Sequence, residues 1–368
     1  MPDLTLLPGE NAFALAGADG QTLRIHPLWL RERCTDAASM DSTTGQRLQN
    51  PADLAAHPVI ENVRQSADGA YHIRFTDGAH GRFTTAALLA ELPHPTDPTL
   101  PAPTPWSAAT PPPPPFHWPY LADDAACRRA LHAYLTDGYI IMSGVPSENG
   151  AVLNVARRFG FPRETNFGTL FDVRSVPGAI DLAYTALHLD PHTDNPYRHP
   201  VPGIQLLHCL VNETEGGLST LVDGLAVAEF LRADAPDAFH ALTRTKVGFR
   251  YCDAATEHVA HAPIIALDTG GQFTAIHHSP RLDFVPLLPL EELDLFYAAR
   301  RRLDHLLRSD RFERRFRLAN GDLMMFDNQR LLHGRTGFDP ATGLRHLQGC
   351  YIDSDGPRSL FRVLSRKA

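Results

Sequence analysis

Up to about residue 92, apolar residues come in short bursts, TLRIHPLWL and then YHIRFTDGAHGRF, broken by Asp-Gly and Gly turns. Short runs rich in branched and aromatic residues between such turns predict strands, and so a small β-rich module over 1–92. From 93 to 119 that rhythm stops and proline dominates, with an unbroken run at 111–115. Consecutive prolines favour an extended, semi-rigid chain, so this stretch is expected to be a linker marking a domain boundary. Beyond it, LADDAACRRALHAYLTDG has the acidic first turn and closing glycine of a helix, YIIMSGVP reads as a buried strand, and NGAVLNVARRFG as a second helix. The stretch FPRETNFGTLFDVRS has no clean period and is expected to be loop or short strand.

Residues 203–224, GIQLLHCLVNETEGGLSTLVDG, predict two strands joined by a Gly-Gly turn. A proline-interrupted helix follows in LAVAEFLRADAPDAFHAL, then strands in KVGFRY and PIIALD. The helix LEELDLFYAARRRLDHLLRS precedes the strands FRLANGDLMMFDN and LRHLQGCYID. Residues 120–368 are thus expected to be mainly β with flanking helices, as a double-stranded β-helix (jelly roll) would be. Periodicity by itself does not name that fold.

Composition narrows the classes. A chain of 368 residues builds one large or two ordinary domains. The net charge of -8, with basic residues dispersed, argues against nucleic acid or an anionic membrane as partner. No apolar run approaches the ~20 residues that span a bilayer, and the start MPDLTLLPGENAF lacks a secretory pattern. The five cysteines are scattered without paired spacing, which suits free thiols in a reducing compartment. A cytoplasmic protein is expected.

Candidate chemistry concentrates in AYTALHLDPHTD. Side chains two apart on a strand share a face, so one strand can offer an imidazole and a carboxylate to one metal. Two such pairs lie in register, His188 with Asp190 and His192 with Asp194, and spacing does not choose between them. Far downstream FDNQRLLHGR adds His333. Two His and one carboxylate with open opposite positions form the donor set of non-haem Fe(II) oxygenases. Twelve residues on, Arg345 could grip a carboxylate through two parallel hydrogen bonds.

With these residues in place the chain resembles the Fe(II)/2-oxoglutarate dioxygenases of the γ-butyrobetaine hydroxylase branch. The likeness runs through LWLRER, RETNFGTLFDVRS, AYTALHLDPHTD, PGIQLLHCLVN, GGLSTLVDG, FDNQRLLHGR and RHLQGCYID, nearly the whole length. It implies metal ligands at His192, Asp194 and His333, with His188 and Asp190 outside. It also implies that Arg345, helped by Ser219, binds 2-oxoglutarate, with O2 as co-substrate and ascorbate as reductant. An aromatic cage for a trimethylammonium group is implied at Tyr184, Tyr351, Phe167 and Phe171, because a quaternary ammonium offers no N–H and is recognised by ring faces. A homodimer is expected, as in much of the branch.

Two departures stand out. Family members carry a cysteine cluster after WLR that binds zinc, whereas WLRERCTDAASM keeps only Cys34 and the later DGAHGRF offers His80. Two ligands do not close a tetrahedral site, so no structural zinc is expected. At the substrate end, Asp181 precedes AYT, and Asn195, Tyr197 and Arg198 follow HTD, with Arg281 in HHSPRLD. That set resembles the branch acting on 2-(trimethylammonio)ethylphosphonate, whose three-oxygen head takes more donors than a carboxylate. The expected substrate is therefore a small zwitterion of this type, with γ-butyrobetaine as the alternative. A jelly-roll metallohydrolase or a non-enzymatic binding protein is the remoter reading.

Overall fold

The structure is a computed structural model that describes residues 4–6, 13–16, 22–92, 97–174 and 185–367. The chain divides into two compact units, 1–94 and 95–368.

In the first unit, two three-stranded sheets, Leu4–Leu6 with Phe13–Ala16 and Thr22–Ile25, and Ile60–Gln65 with Tyr71–Phe75 and His80–Phe83, surround one core. Phe13, Leu30, Ile73, Phe75 and Phe83 fill it. Cys34 lies in the same core, its Sγ 3.8 Å from the Leu30 carbonyl oxygen, and burial pushes its thiol up to about 12. It behaves there as a small hydrophobe. His80 is exposed and its backbone N–H donates to Asp36. The motif arginine of LWLRER, Arg31, is buried and donates to Asp77, Ser39 and Gln49.

The second unit is a jelly roll of two sheets, antiparallel except at one edge of the larger. The larger runs in the order Phe171–Arg174, Arg345–Ile352, Ile204–Asn212, Leu323–Asp327, Tyr139–Ser143, Phe116–His117. The smaller runs Leu189–His192, Leu331–Arg335, Ser219–Asp223, Arg314–Phe316. Alternation explains why the central strands read as unbroken apolar runs. Leu206, Leu323 and Met325 face one core with the helices Asp124–Asp137, Ala151–Phe159 and Asp355–Lys367. Their neighbours Leu207, Met324 and Phe326 face the other core, with Leu221 and Leu331 of the smaller sheet. A strand covered on both faces has no polar side to show.

The helices start and stop where side-chain chemistry satisfies their ends. Asp123 caps the first by accepting from Ala126 N–H, and Gly138, at φ 80°, closes it in the left-handed region. Helix Ala151–Phe159 buries Val152, Val155, Ala156 and Phe159 on the face against the larger sheet. The strands on either side of the Gly-Gly turn exist, but they do not pair with each other; Ile204–Asn212 belongs to the larger sheet and Ser219–Asp223 to the smaller. The strand Glu257–Pro263 and the helix Asp355–Lys367 have no counterpart in the sequence reading.

The proline-rich stretch differs most from expectation. Its described residues, 97–119, belong to the second unit rather than to a free linker. The reason is Trp106, which is 3% exposed in the core with Tyr139, Leu207 and Phe326. Its backbone N–H donates to Asp223 and its indole N–H to the Asp137 carbonyl. Asp223 in turn holds Arg330 through two parallel bonds of 2.9 and 2.8 Å, and Arg330 reaches the carbonyls of Thr104 and Thr136. Phe116–His117 completes the strap as a parallel edge strand on Tyr139–Ser143.

Candidate active site

Strand pairing, not sequence proximity, assembles the site. Leu189–His192 and Leu331–Arg335 run antiparallel with His192 directly opposite His333, so the two rings lie 4.4 Å apart between centroids. The strands come this close because Gly334 has no side chain. A Cβ there would stand 2.5 Å from the Leu189 carbonyl oxygen.

Asp194 completes the cluster. One donor atom each from His192, Asp194 and His333 fall within 4.8 Å of one another, the one such cluster among the described residues. Asn328 braces the loop, its Oδ1 accepting from Asp194 N–H at 2.8 Å and its Nδ2 donating to the Asp194 carbonyl at 3.0 Å. Thr193 is tied to the backbone of His278, its N–H and hydroxyl donating to the His278 carbonyl and its Oγ1 accepting from the His278 N–H.

The protonation pattern fits a metal. His192 Nδ1 lies 2.9 Å from the Asp190 carbonyl oxygen, which can only accept, so Nδ1 donates there and leaves Nε2 to face the cluster. Nε2 stands 3.4 Å from Asp194 Oδ1. Burial and then the neighbouring His192 push His333 down to about 3, against the pull of Asp194, so its imidazole is neutral and able to ligate. Burial works to raise the Asp194 carboxyl, but His333, His192 and Tyr351 outweigh it and hold it far below the usual carboxylate range. The residues present fit Fe(II).

A cavity opens beside this cluster. Arg345, at the start of Arg345–Ile352, lines it, buried, with Nε donating to the Gly217 carbonyl at 3.3 Å. Burial, then the charge of Arg335, pushes it down to about 10, and among the described residues no carboxylate pairs with it. A buried guanidinium in that state is a ready partner for a dianion. Gly217 makes room, since a Cβ there would touch the Arg345 side chain at 3.0 Å and its φ is +64°. Ser219 lines the same region.

Aromatic rings form another wall. Phe167, Phe171 and Tyr351 all line the cavity, with Phe171 and Tyr351 at 5.2 Å. The Tyr351 hydroxyl donates to Asp194 Oδ2 at 2.6 Å, so this residue touches a candidate metal ligand as well as the cavity. Burial first, and then the Asp194 charge, hold its phenol well above the usual range. Asn195 lines the cavity at φ 54°, a left-handed conformation that asparagine tolerates better than most residues. Its Oδ1 accepts from the Tyr197 hydroxyl, while its buried Nδ2 has no partner among the described residues. Tyr197 lines the cavity by stacking on Tyr251 at 5.1 Å. Arg281 lines it too, although exposed to solvent.

Not every candidate arrives there. Arg198 does not line the cavity; its backbone closes a turn onto Asn195 and its guanidinium donates to Asn166, which draws the side chain away. His188 and Asp190 are exposed, 3.1 Å from each other, and stand outside the metal cluster. Asp181 and Tyr184 lie outside the described residues.

Four residues escaped the sequence reading: Gln205, Tyr251, Asn328 and Arg335. Gln205 carried a signal, as a lone amide at the head of an apolar strand, and so did Arg335, two residues from His333 on the same strand face. Arg335 lines the cavity and donates to the carbonyls of Thr185 and Leu187. Tyr251 and Asn328 had none.

Among described residues no helix is long and apolar enough to cross a membrane. Residues 100–351 match the family described as "Taurine catabolism dioxygenase TauD, TfdA family". The chain is 38% identical over 365 residues to the γ-butyrobetaine dioxygenase of Pseudomonas sp. (strain AK-1), covering 97% of this chain and 94% of that one. It is 35% identical over 237 residues to the γ-butyrobetaine dioxygenase of Homo sapiens, covering 62% of this chain and 61% of the human one. Among solved structures, an asparagine oxygenase in complex with Fe(II), 2S,3S-3-hydroxyasparagine and succinate superposes with a TM-score of 0.51 at 20% identity, over 62% of this chain and 80% of that one, which speaks to the fold. With its sequence matches and its two-His-one-carboxylate cluster in a jelly roll, the chain belongs to the TauD/TfdA family and is a 2-oxoglutarate-dependent dioxygenase that uses Fe(II).

Proposed function

We propose that this enzyme hydroxylates a small acid bearing a trimethylammonium group, with γ-butyrobetaine as the first candidate. The observation that carries the reading is that the metal cluster, Arg345 and a bank of aromatic rings line one cavity. Similarity to γ-butyrobetaine dioxygenases along nearly the full length supports the carboxylate substrate over the phosphonate expected from the sequence.

His192, Asp194 and His333 would hold Fe(II), and Arg345 with Ser219 would hold the distal carboxylate of 2-oxoglutarate. When bound, the pair would let O2 serve as the oxidant, one oxygen atom converting 2-oxoglutarate to succinate and CO2 and the other entering the substrate C–H bond as a hydroxyl. The protein's own task is aim. The faces of Phe167, Phe171 and Tyr351 attract the quaternary ammonium, which needs no hydrogen bond. The side-chain amide of Asn195 and the guanidinium of Arg281 attract the anionic end. A short zwitterion held at both ends presents one carbon to the metal.

The phosphonate analogue remains as a second reading because Asn195 and Arg281 both line the cavity, enough donors for a three-oxygen head group. A succinate-release assay with Fe(II), ascorbate and oxygen should compare γ-butyrobetaine, trimethyllysine and 2-(trimethylammonio)ethylphosphonate. Turnover greatest with γ-butyrobetaine supports the first reading, and turnover greatest with the phosphonate replaces it by the second. No coupled succinate with any quaternary amine would overturn both.

A further inference from the structure

Asp194 has two carboxylate oxygens, and the fold treats them differently. Oδ2 accepts the Tyr351 hydroxyl at 2.6 Å and Gln205 Nε2 at 2.8 Å. Oδ1 makes the closer approach to the histidines, 3.4 Å from His192 Nε2, while Oδ2 stands 3.9 Å from His333 Nε2. A carboxylate oxygen offers about two lone-pair directions, so the two donors occupy those of Oδ2 and leave Oδ1 as the ligand atom. Gln205 and Tyr351 are directly opposite each other on paired strands, which makes the double donation a property of strand register. Gln205 is 2% exposed, its Oε1 has no partner among the described residues, and its amide is otherwise bonded only to Asp194. The Asp194 contact is what accounts for a buried amide at that position.

We propose that Gln205 and Tyr351 are positioning residues that restrict Asp194 to one-oxygen ligation, and that Tyr351 also relays occupancy of the aromatic cavity to the metal. A ligand that binds through one oxygen leaves an extra coordination position for co-substrates. The relay follows from the two contacts of one phenol, whose ring lines the cavity beside Phe171 while its hydroxyl holds the metal ligand. A quaternary ammonium against that ring makes the hydroxyl a stronger donor, draws charge from Asp194 and weakens its hold on the metal. This second half rests on the proposed substrate class; the first half does not.

The experiment uses the full chain loaded with Co(II), comparing wild type with Tyr351→Phe and Gln205→Met, whose thermal melting is recorded alongside. Each substitution returns charge to Asp194 but loses its aim, and the loss of aim is expected to dominate, weakening Co(II) binding by about tenfold or more, the usual range for residues behind a metal ligand, and altering the visible ligand-field bands. Adding γ-butyrobetaine with 2-oxoglutarate is expected to shift the bands of wild type, but not of Tyr351→Phe, although calorimetry still shows the ligand binding. Unchanged Co(II) affinity and bands in either folded variant overturn the positioning role. Equal band shifts in wild type and Tyr351→Phe, or none in a ligand-saturated wild type, overturn the relay. If γ-butyrobetaine does not bind at all, the substrate reading and with it the relay fail, while the Co(II) measurements still decide the positioning role.

Discussion

His192 and His333 stand directly opposite each other on neighbouring antiparallel strands, although about half of the second unit lies between them in the chain. In an antiparallel pair, opposed residues have Cβ atoms about 4.5–5.5 Å apart, close enough for two imidazoles to share one ion. The candidate metal centre is therefore a consequence of strand register. A one-residue slip would send one imidazole to the other face of the sheet.

Replacing His333 by alanine removes a ligand while opening little of the core. Metal affinity and turnover should each fall at least ~100-fold, the upper end of what losing a mere supporting contact costs. Isothermal titration with Co(II) and succinate release check the two separately. Retained metal binding would remove His333 from the cluster.

Arg345→Ala should raise the apparent KM for 2-oxoglutarate by roughly 10–100-fold, as expected for losing charge-assisted hydrogen bonds worth about 1.5–3 kcal/mol. Arg345→Lys should recover little, because an ammonium cannot reproduce the two-pronged geometry. An unaltered 2-oxoglutarate KM would show that the guanidinium serves something else.

Phe171→Leu keeps an apolar surface and loses the ring face. Affinity for a trimethylammonium substrate should drop by about 3–30-fold, the span of cation–π energies, while a neutral tert-butyl isostere should be nearly unaffected. Equal losses for both ligands would mean that Phe171 contributes only shape.

Arg330→Met leaves Asp223, which is fully buried, with only backbone donors, from Trp106 and Leu225, among the described residues. Breaking a buried pair from one side costs about 3–5 kcal/mol. Urea unfolding followed by tryptophan emission should show it, and loosening of the 97–119 strap should accompany it. A midpoint within error of wild type would contradict the role assigned to this pair.

His278 is 2% exposed, and burial, followed by Arg300 and His192, pushes it down to about 3. Below the ordinary histidine value near 6.5 the unfolded chain takes up a proton that the folded chain refuses, so stability falls as pH drops from 6.5 towards 3. Between pH 7 and 5 this one group should cost about 2 kcal/mol. Comparing wild type with His278→Gln over that interval isolates it from other groups. Identical pH slopes for the two proteins would refute the assignment.

Much of the architecture was visible in local pattern. The helix Asp124–Asp137 announced itself through an acidic start and a terminal glycine, and Leu323–Asp327 through an apolar run. These signals are readable because capping, φ preference and side-chain alternation act within a few residues. The candidate metal ligands were legible for a different reason: their chemistry is rare in combination, and the family resemblance selected His192–Asp194 over His188–Asp190.

Other features needed the folded chain. Trp106 looked like part of a proline linker because nothing nearby in sequence shows that Tyr139, Phe326 and Asp223 will close around it. Arg198 and Arg281 looked equivalent as anion binders, but a turn onto Asn195 and a bond to Asn166 take Arg198 away from the cavity that Arg281 lines. Gln205 became part of the site only because register places it opposite Tyr351. Residue chemistry and short-range periodicity are written along one dimension, and they named the donors. Which donors meet depends on contacts between strands far apart in the chain, where a shift of one residue exchanges the two faces, and no local pattern carries that information.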